Sequence, residues 1–180
     1  SELSTSAEFI PSAFRYLYLE CSNAADVDID VQFEYLPIED KAYFKCDNEA
    51  FSKIWDVCSY TFHLCNREFL IDGIKRDRWV WSGDAYQSFK INEYLFLDYP
   101  SVRRTITALT GKDPINTHIN TINDYSLYLI IGTYEYYFSS ADTDFIKFIY
   151  PRITTLCDFI ISRLDNFFNS FFSYISCIFP

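Results

Sequence analysis

The stretch IDGIKRDRWVWSGDAY, residues 71–86, decides how this sequence is interpreted. Within sixteen residues it holds three carboxylates, three cations, and Trp79 and Trp81, two of the chain's three tryptophans. Its apolar residues follow neither the period of a helix nor the alternation of a strand. The stretch is therefore predicted to be a charged loop, held in place by a folded scaffold, that ends where a helix begins at Asp84.

Two interpretations of this loop are open from its residue types. Paired carboxylates in an aromatic-lined site suit glycoside hydrolysis, in which one protonates the leaving oxygen and the other activates water. Indole faces stack on sugars, and a neighbouring arginine binds hydroxyl groups and keeps carboxylates ionised. Alternatively, the loop is tied together by its own ion pairs and its tryptophans anchor it in the core. Composition alone favours this second interpretation.

Composition limits the classes of function. The chain has 180 residues and 20% aromatic residues, which predicts one folded domain, or one domain plus part of another. Its net charge of -10 argues against a nucleic-acid partner and against binding to an anionic membrane surface. No apolar run is long enough to span a membrane. Neither a metal site nor a cofactor is predicted, since no CxxC pair, HExxH or phosphate-binding glycine loop occurs.

The N-terminal residues, before the first predicted helix, have the pattern of β-strands. Apolar and polar residues alternate in DVDIDVQFEY, residues 26–35, which predicts a strand with one buried face. Residues 14–21 are a plausible partner strand. Two strands alone are marginally stable in water, so this hairpin is expected to be the end of a larger β-domain.

Capping and breaking residues predict five or six consecutive helices in the remainder. The first covers 48–65 and is capped by Asp47. The others are predicted at 84–97, 100–110, 125–138 and 143–164, the last restarted or kinked by Pro151. The polar loop between His118 and Asp124 is expected to reach the same end of the helices as the charged loop. For these two residues themselves, a surface histidine and a helix N-cap are favoured over a catalytic role.

Three segments carry a resemblance to a known family. They are CDNEAFSKIWDVCSYTFHLC (46–65), REFLIDGIKRDRWVWSGDA (67–85) and YPSVRRTI (99–106). The chain from Phe44 to about Arg163 resembles the catalytic domain of α-L-rhamnosidases, glycoside hydrolase family 78. The charged block within the second segment is the most specific part of this resemblance.

The resemblance implies a mainly α fold, a partial (α/α)6 barrel of helical hairpins preceded by a short β segment from a β-sandwich domain. Residues 1–43 are then the last strands of the β-sandwich, and residues 44–165 are the first half of the barrel. Residues 166–180 contain five phenylalanines and no charge. They are either a helix buried between others or a tail outside the fold, and beside the family pattern they are interpreted as a divergent tail.

The resemblance also implies inverting hydrolysis of terminal α-L-rhamnosides. The family's general acid usually lies seven residues before the aspartate of a Gly-Asp pair, which places Asp77 in that role. The usual residue is glutamate, and the side chain of Asp77 is one methylene shorter, so proton delivery needs a closer backbone. The positions that line the rhamnose pocket correspond to Asp72, Arg76, Trp81 and Asp84.

Further expectations follow from the resemblance. The substrate is a rhamnose-containing glycoside or polysaccharide, no cofactor is required, and the full-length protein is expected to be periplasmic or secreted. The general base is expected in the second half of the barrel, beyond this chain, so the fragment alone is expected to be inactive. The alternatives are a non-catalytic carbohydrate-binding relative and a helical interaction module without a sugar site.

Overall fold

The computed structural model describes residues 12–20, 26–75 and 77–164. These residues form five α-helices and one 310-helix, which confirms the mainly α fold class. Arg76 and the Phe-rich segment 166–180 lie outside the described residues. In chain order the elements are α1 (Glu49–Cys65), α2 (Ser82–Leu95), α3 (Tyr99–Leu109), the 310-helix (Ile119–Thr121), α4 (Asn123–Ser140) and α5 (Thr143–Ser162).

Side-chain caps determine where two of the helices begin. The sequence predicts Asp142 or Thr143 as the start of α5, and the structure has Asp142 as the cap, whose carboxylate accepts a hydrogen bond from the Phe145 N–H at 3.0 Å. At α1 the cap is Asn48, whose side-chain oxygen accepts from the Ala50 N–H at 3.0 Å. The prediction of Asp47 as the cap is therefore wrong by one residue. Asparagine and aspartate cap helices about equally well, so residue preference does not choose between them.

Helices α2 and α4 lie side by side and run in the same direction. Near their first turns the rings of Tyr86 and Tyr128 stack with centroids 5.4 Å apart. Further along, Lys90 Nζ lies 2.6 Å from Glu135 Oε2. Since later residues of one helix meet later residues of the other, the two helices are parallel.

Helix α3 runs antiparallel to α4. The hydroxyl of Tyr99, at the start of α3, donates to the backbone carbonyl of Ser139, at the end of α4, at 3.1 Å. Helix α5 then follows α4 through Ala141, which adopts the left-handed conformation with φ 53°. Two parallel helices in one layer, with antiparallel helices connecting them, are what an array of helical hairpins requires. The buried core between the helices includes Phe89, Phe96, Ile106, Leu129, Tyr136, Ile149 and Leu156.

Helix α1 contacts the C-terminal end of α2 and the segment of the chain that precedes α1. The rings of Phe62 and Phe96 stack at 5.1 Å. Asp40 joins the preceding segment to α1, because its carboxylate accepts from Ser59 Oγ at 2.8 Å and lies 2.6 Å from His63 Nε2. The charged loop that follows α1 therefore starts near the end of α2 and has to return to its beginning.

The two predicted strands are not formed, and for the described residues this prediction is wrong. Residues 12–20 and 26–47 contain no strand. The alternating apolar side chains are about half exposed, among them Val31 at 62% and Phe33 at 59%. Alternation predicts which side chains share a face, but a strand also needs a hydrogen-bonded neighbour and a layer that covers its apolar face. The described residues supply neither.

None of the helices in the described ranges combines the length and apolar character needed to cross a membrane.

Candidate active site

The charged loop is fixed to α3 before it reaches the predicted site. Leu70 is 1% exposed, and its N–H donates to Thr105 Oγ1 at 3.0 Å. One residue earlier on α3, Arg104 donates to the backbone carbonyl of Glu68 at 2.8 Å. A buried side chain and two hydrogen bonds therefore determine the direction in which the chain enters the site.

Asp72 and Trp79 close the next part into a ring of eight residues, 72–79. The backbone N–H of Asp72 donates to the backbone carbonyl of Trp79 at 3.0 Å. In return, the Asp72 carboxylate accepts from the backbone N–H of Trp79 at 2.9 Å. Asp77 and Arg78 lie inside this closed loop and are exposed. Arg78 adopts the left-handed conformation with φ 49°. The structure thus presents Asp77 to solvent on a loop whose two ends are joined.

Trp79 is 62% exposed, so it does not anchor the loop in the core. The interpretation in which both tryptophans are core anchors is therefore wrong for Trp79. Trp81 is half-buried and immediately precedes α2. Its Nε1 is shielded from solvent and has no hydrogen-bond partner among the described residues.

Asn120 fixes the backbone on both sides of Trp81. Its side-chain N–H group donates to the Val80 carbonyl at 3.1 Å, and its side-chain oxygen accepts from the Ser82 N–H at 2.9 Å. Asn120 lies in the polar loop before α4, so the expectation that this loop reaches the charged loop is confirmed. Asn120 has φ 50° and ψ 20°, a conformation that asparagine adopts more readily than most residues.

Asp84 lies in the first turn of α2 and is exposed. A carboxylate there is favoured by the positive end of the helix dipole. The hydroxyl of Tyr125, from the start of α4, donates to Asp84 Oδ2 at 3.4 Å. The Tyr125 ring also meets the Trp81 indole edge to face, with centroids 6.3 Å apart and an interplanar angle of 81°. Trp81 and Asp84 are thus brought together through one tyrosine.

The two weaker candidates have structural contacts. His118 Nδ1 lies 3.1 Å from Ser126 Oγ, and its ring packs edge to face on Phe159 at 5.0 Å. Asp124 is exposed in the first turn of α4, but the N-cap position belongs to Ile122. The prediction of Asp124 as the cap is therefore wrong, and the structural interpretation of His118 agrees with its contacts.

Two surface grooves are formed by other parts of the described structure, and only the second includes a candidate residue, His118. One of about 630 Å3 lies between α3 and α5 and is lined by Phe69, Arg103 and Phe148 among others. The second, about 350 Å3, includes His118 and Arg163. Neither is lined by Asp72, Trp81 or Asp84.

Asn120 and Tyr125 were not among the residues predicted for the site. Both come from the region before and at the start of α4, about 40 residues from the charged loop in sequence. A local pattern does not reveal a contact over that separation. Gly83 is the one sequence signal for the Tyr125 contact, because a glycine in the first turn of a helix allows another group to approach closely. The sequence does not show which group that is.

Comparisons with known proteins agree with this fold. Residues 39–173, more than half of the chain, match the family described as bacterial alpha-L-rhamnosidase 6 hairpin glycosidase domain. A solved structure, a rhamnosidase from Klebsiella oxytoca with rhamnose bound, matches with 23% identity and a TM-score of 0.60. The match covers 71% of this chain and 28% of the Klebsiella chain. No curated protein matches.

The structural match supports the helical fold, and the family match covers all of the described helices. The matched residues also include the charged loop and the start of α4. The chain therefore belongs to the bacterial α-L-rhamnosidase six-hairpin glycosidase family.

Proposed function

We propose that this chain supplies the sugar-binding loop and the general acid of a glycoside hydrolase that cleaves terminal α-L-rhamnosides with inversion. The observation that carries the proposal is the loop 72–79, which contains the exposed Asp77 and whose ends are joined by two hydrogen bonds between Asp72 and Trp79. Trp81 and α2, the helix that carries Asp84, follow this loop directly in the chain. A carboxyl group on a fixed loop, an indole and a second carboxylate are the groups that binding and protonating a glycoside require.

Each residue has a distinct proposed role. Asp77 donates a proton to the leaving glycosidic oxygen. Trp81 packs its indole against the apolar face of the deoxysugar, and Asp84 accepts hydrogen bonds from sugar hydroxyls. Asp72 uses one oxygen to close the loop, which leaves its second oxygen to accept from the sugar. Arg76 is proposed as a further hydroxyl ligand on the resemblance alone.

Inversion requires a second carboxylate as general base. The two carboxyl groups of an inverting glycosidase are about 6.5–9.5 Å apart, so that a water molecule fits on the far side of the sugar. The family resemblance assigns this base to the second half of the barrel. The chain spans 28% of the Klebsiella rhamnosidase. We therefore propose that these 180 residues alone do not hydrolyse rhamnosides.

A carbohydrate-binding relative without activity is the second candidate. It is favoured by the residue at the acid position, since Asp77 is one methylene shorter than the glutamate of the family pattern. The two candidates differ in one respect: the enzyme must turn over, whereas the binding protein has only to bind rhamnose.

The test is Asp77→Asn in the full-length gene product, with Asp158→Asn as the control, since Asp158 is an exposed carboxylate on α5. Loss of the general acid is expected to lower kcat by about 10² to 10⁴, with little change in rhamnose affinity. A nitrophenyl rhamnoside should be affected less, because its leaving group needs less protonation. A variant that hydrolyses alkyl rhamnosides at the rate of the control would show that Asp77 is not the acid. Wild-type protein that binds rhamnose without turnover would establish the binding relative instead.

A further inference from the structure

One tyrosine contacts four consecutive residues at the start of α2, from Trp81 to Asp84. Tyr125 meets the Trp81 indole edge to face and donates its hydroxyl to Asp84 Oδ2. Its backbone carbonyl accepts from Ser82 Oγ at 2.7 Å. Its ring also lies against Gly83. Tyr125 therefore contacts an uninterrupted stretch of the predicted site, although it belongs to a different helix.

The contact with Gly83 leaves no room for a side chain at that position as long as the Tyr125 ring stays where it is. A Cβ added to Gly83 would lie 2.7 Å from Cε1 and 3.0 Å from Cζ of Tyr125. Real Cβ atoms do not approach other atoms this closely. Glycine is needed here for the space it leaves, which lets the tyrosine ring pack directly on the backbone at the start of α2.

We propose that Tyr125 is a positioning residue of the rhamnose site, which fixes the Trp81 indole through its ring and the Asp84 carboxylate through its hydroxyl. The proposal rests on the proposed function, because the roles of Trp81 and Asp84 in binding sugar are assigned there. Tyr125 acts through these two residues and is not itself a catalytic residue.

The contacts of Tyr125 suit this role. Stacking against a sugar needs an indole whose plane is already fixed, since ordering a side chain on binding reduces affinity. A carboxylate has two oxygens, so Asp84 Oδ1 can accept from a sugar hydroxyl while Oδ2 stays with Tyr125. Burial, and next the charge of Asp84, raise the pKa of the Tyr125 hydroxyl, so it remains a protonated donor at neutral pH.

The first measurement needs no sugar. In a Trp55→Phe, Trp79→Phe background, Trp81 is the only indole, and acrylamide quenching reports its exposure. Tyr125→Leu removes the ring and is expected to increase quenching, whereas Tyr125→Phe keeps the ring and should leave quenching unchanged. Tyr137→Phe, an exposed tyrosine twelve residues further along α4, is the matched control.

The second measurement is titration of the full-length gene product with L-rhamnose, followed by calorimetry. Tyr125→Phe loses a hydrogen bond to a charged group and is expected to weaken binding about threefold to tenfold, while Tyr137→Phe binds as wild type does. Thermal unfolding of each variant separates a change at the site from loss of the fold.

Two results would overturn the proposal. One is unchanged quenching in a folded Tyr125→Leu variant, which would show that the ring does not hold Trp81. The other is wild-type rhamnose affinity in both Tyr125 variants. If the full-length gene product neither binds nor hydrolyses rhamnosides, the proposed function fails, and quenching alone then decides whether Tyr125 positions Trp81.

Discussion

Gly132→Ala should destabilise the fold, although alanine is the better helix former. Gly132 lies in the middle of α4, where replacing glycine by alanine normally gains about 1 kcal/mol. A Cβ at this position would lie 2.9 Å from Cδ2 and 3.0 Å from Cε2 of Phe89 on α2. Phe89 is 3% exposed, so its ring has no open space to move into. Inserting an extra carbon into a packed core costs about 1–3 kcal/mol.

The two effects oppose each other, and the packing cost is expected to exceed the gain in helix propensity. The net result is a loss of about 1 kcal/mol in the free energy of unfolding. For a chain of this size, that corresponds to a decrease in Tm of about 2–4 °C. Thermal and urea unfolding followed by circular dichroism measure both quantities. Gly73→Ala is the control, since nothing lies within 4 Å of a Cβ built there.

A double variant identifies the contact responsible. Phe89→Leu shortens the side chain that the added methyl group would meet, so the double variant should lose less stability than the sum of the two single variants. A Gly132→Ala protein more stable than wild type would refute the reasoning, because it would show that the Phe89 ring yields at little cost. Strict additivity with Phe89→Leu would locate the cost elsewhere.

Two further predictions concern the contact of Gly83 on α2 with Tyr125 on α4, and the Asp142 cap at the start of α5. Gly83→Ala should change the near-ultraviolet circular dichroism of the tryptophans with less than about 1 kcal/mol of destabilisation, because the half-buried Tyr125 ring can swing away; an unchanged spectrum would contradict this. Asp142→Asn keeps the cap but loses the charge. The Phe145 N–H, the Tyr136 hydroxyl and Arg103 hold the pKa of Asp142 below its usual value, so its stabilisation is present above about pH 4 and lost as the pH falls through the lowered pKa. Wild type should therefore have the larger free energy of unfolding at pH 7, and urea titrations should show this difference shrinking below about pH 4. A difference that does not depend on pH would contradict this.

The helices were predictable because their signals are local. Asp142 caps α5 as its position before an apolar run suggested, and Pro100 lies in the first turn of α3. Gly111, with φ 65°, follows the end of α3, as a helix-terminating glycine does. Pro151 lies inside α5, which continues past it. Proline removes one hydrogen bond, and sequence alone does not show whether packing on the other helices compensates for that loss.

The site was predictable only where the resemblance covered it. Trp81 and Asp84 were proposed for the site because they belong to one contiguous block, and the structure brings both into contact with Tyr125. Tyr125 and Asn120 were missed because their roles depend on the packing of α4 against α2, which brings them beside residues about 40 positions earlier. Asp72 was assigned to the sugar, but the structure gives it a second role that closes the loop through Trp79.

The family fold offers an explanation for exposed apolar side chains on two helices that pack against each other. Tyr94 on α2 and Phe138 on α4 are 73% and 81% exposed. A helix with a second apolar face is expected to pack against a further element. The family domain has six hairpins, whereas the described residues form five helices. If further hairpins cover α2 and α4, they also supply the remaining walls of a sugar site at the start of those helices. Assays of Asp77 therefore belong in the full-length gene product, whereas the packing tests on Gly132 and Tyr125 concern contacts that are complete within these helices.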